Sequence, residues 1–96
     1  MLIFQTLNAQ NQAVTGWVFD KTTLEVIPSA IIIDDDSKLY TESNAKGYYQ
    51  LLTKNGNQKL VIAAAGYKAV KLEVEVSGVT NKNVFLIPVD FDQDDS

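Results

Sequence analysis

Apolar residues recur at every second position in a series of short stretches along the chain, and no longer segment carries the three-to-four-residue repeat of a helix. The strictest alternation runs over residues 67–76. Val70, Leu72, Val74 and Val76 share one side there and Lys71, Glu73 and Glu75 the other, the pattern of a strand with one buried face and one wet face. Residues 14–20 make the first strand, with Val14, Gly16 and Val18 on one face and Thr15, Trp17 and Phe19 on the other. A second strand over residues 29–33 starts behind Pro28. Its apolar positions are consecutive, Ala30 and Ile32 against Ile31 and Ile33, so it is expected to be covered on both sides.

The polar positions punctuate these runs. Asp34-Asp35-Asp36-Ser37 turns the chain, residues 38–42 resume an extended path, and residues 43–47 turn it again, with Asn44 and Gly47 suited to positive φ. Residues 48–53 then alternate, Tyr49 and Leu51 against Tyr48 and Gln50. The strand over residues 58–65 sends Leu60, Ile62 and Ala64 inward. Between these two stands Asn55-Gly56, which predicts a type I′ turn and makes residues 41–67 read as a hairpin. Gly66 breaks the strand, Ser77-Gly78 turns the chain, and residues 83–87 form a last strand stopped by Pro88. About seven short strands with frequent turns predict an all-β, seven-stranded antiparallel sandwich. One domain is expected over residues 14–88, after an N-terminal arm or extra strand over residues 1–13 and before an acidic tail over residues 89–96.

Composition narrows the function. The net charge is −4 and every basic residue is Lys, so the forked Arg contacts that suit phosphate and guanine are missing and nucleic acid is not an expected partner. No apolar run is long enough for a membrane-spanning helix, and direct membrane insertion is not expected. The absence of Cys removes disulfides and thiolate metal sites without setting the compartment. Residues 1–10 lack a basic region ahead of their short apolar stretch, so they read as an arm or strand rather than a secretory leader.

Four motifs in order resemble a known family: Gly16-Trp17-Val18-Phe19-Asp20, then Pro28-Ser29-Ala30-Ile31-Ile32, then residues 41–51 ending Gly47-Tyr48-Tyr49-Gln50-Leu51, then residues 60–67 ending Gly66-Tyr67. Together they are similar to the carboxypeptidase regulatory-like domain, over residues 14 to 88. The resemblance implies a Greek-key, prealbumin-like sandwich of Ig-like architecture with no catalytic residues. It implies an accessory module of the kind found in surface proteins of Bacteroidota, at the N-terminus of their TonB-dependent outer-membrane transporters, and in phage virion proteins. Several positions depart from the family pattern. Trp17 and Phe19 stand where a small or polar residue is usual, Tyr49 where Phe is usual, and Ile27 and Ser29 flank Pro28 where leucine and glycine are usual.

Catalytic chemistry finds little support. Without His or Cys there is no Ser-His or Cys-His relay, and the close acids Glu73 and Glu75 read as a solvated sheet face. Asp34, Asp35 and Asp36 invite a calcium site, but a loop of EF-hand spacing begun at Asp34 would want a bidentate Glu where Ala45 stands, so an ordinary solvated turn is expected and no metal or cofactor. The informative constellation is apolar. With Val14 and Val18 inside, Trp17 and Phe19 lie outside, as do Ile31 and Ile33 by alternation, and Tyr48 joins them. Such a patch marks a contact with another chain, unless Leu2, Ile3 and Phe4 of the arm cover it.

The expected function is a non-catalytic module making protein contacts as a structural part of a virion or cell-surface assembly. Two rivals are an N-terminal extension of an outer-membrane transporter and a carbohydrate-binding module. The latter would stack sugar rings on Trp17, Tyr40 and Tyr48, provided that the rings are coplanar and exposed.

Overall fold

The computed structural model describes residues 12–89. They form eight strands: β1 (Ala13–Asp20), β2 (Ile31–Asp34), β3 (Tyr40–Glu42), β4 (Tyr48–Leu52), β5 (Gly56–Ala63), β6 (Val70–Val76), β7 (Val79–Asn81) and β8 (Val84–Leu86), with no helix among the described residues. One sheet is built on β1, which has β4 on one side and β7 and then β8 on the other. The second runs β3-β2-β5-β6. The two inner faces meet in a core of Val14, Val18, Ile32, Tyr49, Leu51, Leu60, Ile62 and Leu86 among others, each with at most 1% of its surface exposed. Burying side chains of this size stabilises the fold by about 1.5–3 kcal/mol each.

The all-β sandwich is as expected, and three details of the expectation are corrected. There are eight strands and not seven, because the chain pairs briefly at Val79–Asn81 straight after the Ser77-Gly78 turn. The sheet on β1 is not wholly antiparallel, since both β7 and β8 run parallel to β1. Residues 41–67 are not a hairpin. β4 pairs with β1 while β5 pairs with β2 and β6, so the link at Asn55 carries the chain from one sheet to the other. No type I′ turn forms there. Gly56 alone has positive φ, at 106°, and the Asn55 side chain accepts from the Gly78 amide at 3.0 Å, tying the crossover to the β6–β7 turn.

Strand limits also shift. β2 starts at Ile31 because residues 27–30 are held by Ser43, whose buried hydroxyl accepts from the Ala30 amide and donates to the Ile27 carbonyl, both at 2.8 Å. β6 starts at Val70, since Tyr67 bridges Pro88 and the Lys68 amide donates to the Ile87 carbonyl. β5 keeps its expected length but is shifted two residues toward the N-terminus, to Gly56–Ala63, whereas β3 is only Tyr40–Glu42.

Two turns share one design. β1 ends in Asp20 and β2 in Asp34, both nearly buried. Asp20 Oδ1 accepts from the Thr22 and Thr23 amides, and Asp34 Oδ1 from the Asp36 and Ser37 amides. In each turn the residue four further on has positive φ, Leu24 at 64° and Lys38 at 68°, and its amide donates to the Asp carbonyl. The other carboxylate oxygen takes a distant hydroxyl: Tyr67 donates to Asp20 at 2.8 Å and Thr53 to Asp34 at 2.7 Å. Each aspartate thus closes its own turn and ties it to a remote strand or loop.

Candidate functional site

Alternation along β1 turns Trp17 and Phe19 away from the core, and the neighbouring strands bring aromatic partners to both. Trp17 lies opposite Tyr48 of β4, edge to face, with ring centroids 5.0 Å apart at 63°. Phe19 lies opposite Phe85 of β8, stacked at 5.2 Å and 21°. Cross-strand aromatic pairs of this kind contribute about 0.5–1.5 kcal/mol beyond their buried area. Leu52 of β4 and Val79 of β7 both pair with Ala13 and extend the row toward the start of β1. The row is accessible: Trp17 is 38% exposed, Phe85 45%, Leu52 59% and Val79 62%.

The outward positions of this sheet carry no charge. They are Ala13, Thr15, Trp17 and Phe19 on β1, Tyr48, Gln50 and Leu52 on β4, Val79 and Asn81 on β7, and Phe85 on β8. The outer face of the second sheet differs. Lys59, Lys71, Glu73 and Glu75 project from its β5 and β6 side, as a solvated face requires. Depletion of charge with enrichment of aromatics is the compositional mark of an interface core.

Ile31 and Ile33 do not join this row. They sit half-buried on the outer face of the second sheet, where Ile33 lies between Tyr40 and Val61 and Ile31 between Glu42 and Ala63. The single patch expected of Trp17, Phe19, Tyr48, Ile31 and Ile33 is therefore two faces on opposite sides of the sandwich, because β1 and β2 belong to different sheets. Leu2, Ile3 and Phe4 lie outside the described residues. Tyr40 belongs to the other sheet from Trp17 and Tyr48, and the 63° between those two rings does not provide a coplanar platform for a sugar. Phe85 was not singled out from the sequence. Its place beside Phe19 follows from parallel pairing across most of the chain, which local alternation does not encode.

The titratable groups serve the turns. The Asp20 carboxyl is held below its ordinary value by the Thr23 amide first and then by the Tyr67 hydroxyl, and Tyr67 is raised because it donates to that carboxylate. Burial pushes the Tyr49 hydroxyl up. Asp34 spends both oxygens on its own turn and on Thr53, at the wall of an open cleft of about 430 Å³ lined also by Asp36, Ser37, Leu39 and Leu52. Among the described residues no group of acids is arranged to hold a metal ion.

A family model for the CarboxypepD_reg-like domain matches residues 14–91. The chain belongs to that family. No curated protein matches it. Among solved structures, the CarboxypepD_reg-like domain described here resembles a chain of a type II cohesin–X-dockerin complex from Acetivibrio cellulolyticus, with a TM-score of 0.66 and 15% identity over 77% of this chain and 56% of that one. It also resembles the pilus 2b backbone protein of group B streptococcus, with a TM-score of 0.62 and 14% identity over 81% of this chain and 41% of that one. At such identities the likeness is one of fold. The chain spans about half the length of these solved structures.

Proposed function

We propose that this CarboxypepD_reg-like domain is a non-catalytic module that makes protein–protein contacts through the outer face of the β1 sheet, as a structural part of a larger virion or cell-surface assembly. The observation that carries the reading is the uncharged row of Trp17, Tyr48, Phe19 and Phe85 on a sheet face, in a protein where 21% of residues are charged. An eight-residue strand and its neighbours give that sheet face an extent of roughly 26 by 14 Å at most, and contiguous exposed apolar surface of this kind on a monomer is often functional. Relatives of the same fold come from a cohesin–X-dockerin complex and a pilus backbone, which supports the same class of role.

Trp17 is the only tryptophan and reports on the face directly. Its emission is expected to shift to the blue, and its quenching by acrylamide to fall, as the chain is concentrated and the face becomes buried against other copies. Emission and quenching that stay constant over the whole concentration range would contradict contact between copies through this face.

A further inference from the structure

The two rims of the sandwich differ. At one, β3 and β4 lie alongside each other, so each covers the other's outer edge. At the other, β6 pairs only with β5 among the described residues. The residues just ahead of β6 are taken, through Tyr67 against Pro88 and the Lys68 amide on the Ile87 carbonyl, and the Ser77-Gly78 turn carries the chain off to the other sheet. Between them β6, Val-Lys-Leu-Glu-Val-Glu-Val, runs for seven residues without proline or bulge.

Hydrogen-bond parity shows which groups β6 offers. The Asp35 amide donates to the Lys59 carbonyl, so odd-numbered residues of β5 face β2 and even-numbered ones face β6. Val70, Leu72, Val74 and Val76 lie opposite those even-numbered residues and turn their N–H and C=O groups to β5. The groups of Lys71, Glu73 and Glu75 point the other way, at exposed positions, with no backbone partner among the described residues. The side chains of Val70 and Leu72 pack against the core at this rim and are only partly buried.

We infer that β6 pairs antiparallel with β6 of a second copy about a two-fold axis at Leu72, Lys71 of each copy opposite Glu73 of the other. This rests on the reading of the domain as a protein-contact module and names one partner for it, on a surface other than the aromatic face. Charge selects the register. Outward groups meet only when odd-numbered residues face one another, and moving the axis by one residue either way sets Lys71 against Lys71 or Glu73 against Glu73. With the axis at Leu72 both facing pairs are of opposite sign, and Glu75 faces the neutral Ala69. Glu73 already lies opposite Lys59 within each copy, so the signs alternate from β5 through β6 to the second β6. Charged side chains on an edge strand ordinarily hinder pairing. Here they hinder the neighbouring registers and favour this one. The narrow pairs at the seam are Leu72 with Leu72, flanked by Val70 with Val74, so pairing also covers apolar surface between the two cores. The two-fold places both β1 sheets on one side of the joined sheet, with their aromatic faces turned the same way.

The test uses the full 96-residue chain carrying Trp17→Ser and Phe85→Ser, which removes the outer-face contact and leaves β6 intact. Light scattering over a dilution series is expected to show a dimer. Adding Lys71→Glu, or instead Glu73→Lys, turns both facing pairs to like charge. Each is expected to raise the dissociation constant at least about tenfold, with circular dichroism unchanged because both side chains are exposed. Mixing the two variants is expected to restore the dimer, since each chain then meets the opposite sign in the other. Hydrogen exchange needs no change in β6: the Lys71 and Glu73 amides are expected to be slow in the dimer and fast on dilution. A background chain that is monomeric at every concentration, amides that stay fast in a dimer, or a dimer that neither charge reversal weakens overturns the pairing. So does a mixture of the two variants that stays monomeric. None of these results bears on the outer face, which is read from the difference between the wild type and the background chain.

Discussion

The carbonyl oxygen of Lys82 occupies the space in which a side chain at Gly16 would lie. A Cβ built on Gly16 falls 2.0 Å from that oxygen and 3.2 Å from Asn83 Oδ1. The link between β7 and β8 presses against β1 at this point, and three hydrogen bonds hold it: the Lys82 amide to the Thr15 carbonyl, the Trp17 amide to Asn83 Oδ1, and the Tyr49 hydroxyl to the Lys82 carbonyl. Gly16→Ala is expected to cost about 3 kcal/mol or more by forcing this link off β1, a large share of a small domain's stability. Urea unfolding followed by circular dichroism measures it, and a loss below about 1 kcal/mol would show that the link can yield.

Ser29 takes φ of 63° beside Pro28, in the left-handed region that disfavours a side chain. The family pattern has glycine at this position. Ser29→Gly is expected to stabilise the domain by about 1 kcal/mol and to raise Tm by roughly 4–8 °C. A lower Tm would mean that the serine makes a contact of its own.

Asp20 and Tyr67 each make stability depend on pH. The Asp20 carboxyl is depressed below its ordinary value of 3.8, so its contribution is complete well above that pH and is lost as pH falls through the lower folded value. Tyr67 and Tyr49 are raised above 10.0, so theirs is present below pH 10 and is lost as pH rises further. Tyr67→Phe removes one of the bonds that depress Asp20 and is expected to move the acid loss of stability to higher pH. Urea midpoints across a pH series for the wild type and Tyr67→Phe check this, and coincident acid limbs would contradict it.

The inner faces were legible from local alternation. Val14 and Val18, Tyr49 and Leu51, Leu60 and Ile62, and Val74 and Val76 all lie inside as their spacing requires, since a strand with one buried face leaves a period of two in the sequence. Pairing was not legible. Asn55-Gly56 has the composition of a tight hairpin, yet the strands on either side belong to different sheets, and the Asn55 side chain serves the Gly78 amide instead. β7 is too short to stand out beside the Ser77-Gly78 turn. The same gap divided the candidate face. Alternation turned Trp17, Phe19, Ile31 and Ile33 outward, but only the sheet order shows that the isoleucines face the opposite way and that Phe85 takes their place beside Phe19. The run Asp34, Asp35, Asp36 repeats the turn that begins at Asp20, a likeness carried by the shared position of an aspartate and a hydroxyl residue three further on.

The most direct test of the outer face as a protein contact is light scattering of the wild-type chain against the Trp17→Ser, Phe85→Ser variant over the same concentration range. Both residues are exposed, so the variant is expected to fold with unchanged circular dichroism. The wild type is expected to form a larger species that the variant does not reach. Equal masses for two folded proteins at every concentration would contradict self-assembly through that face.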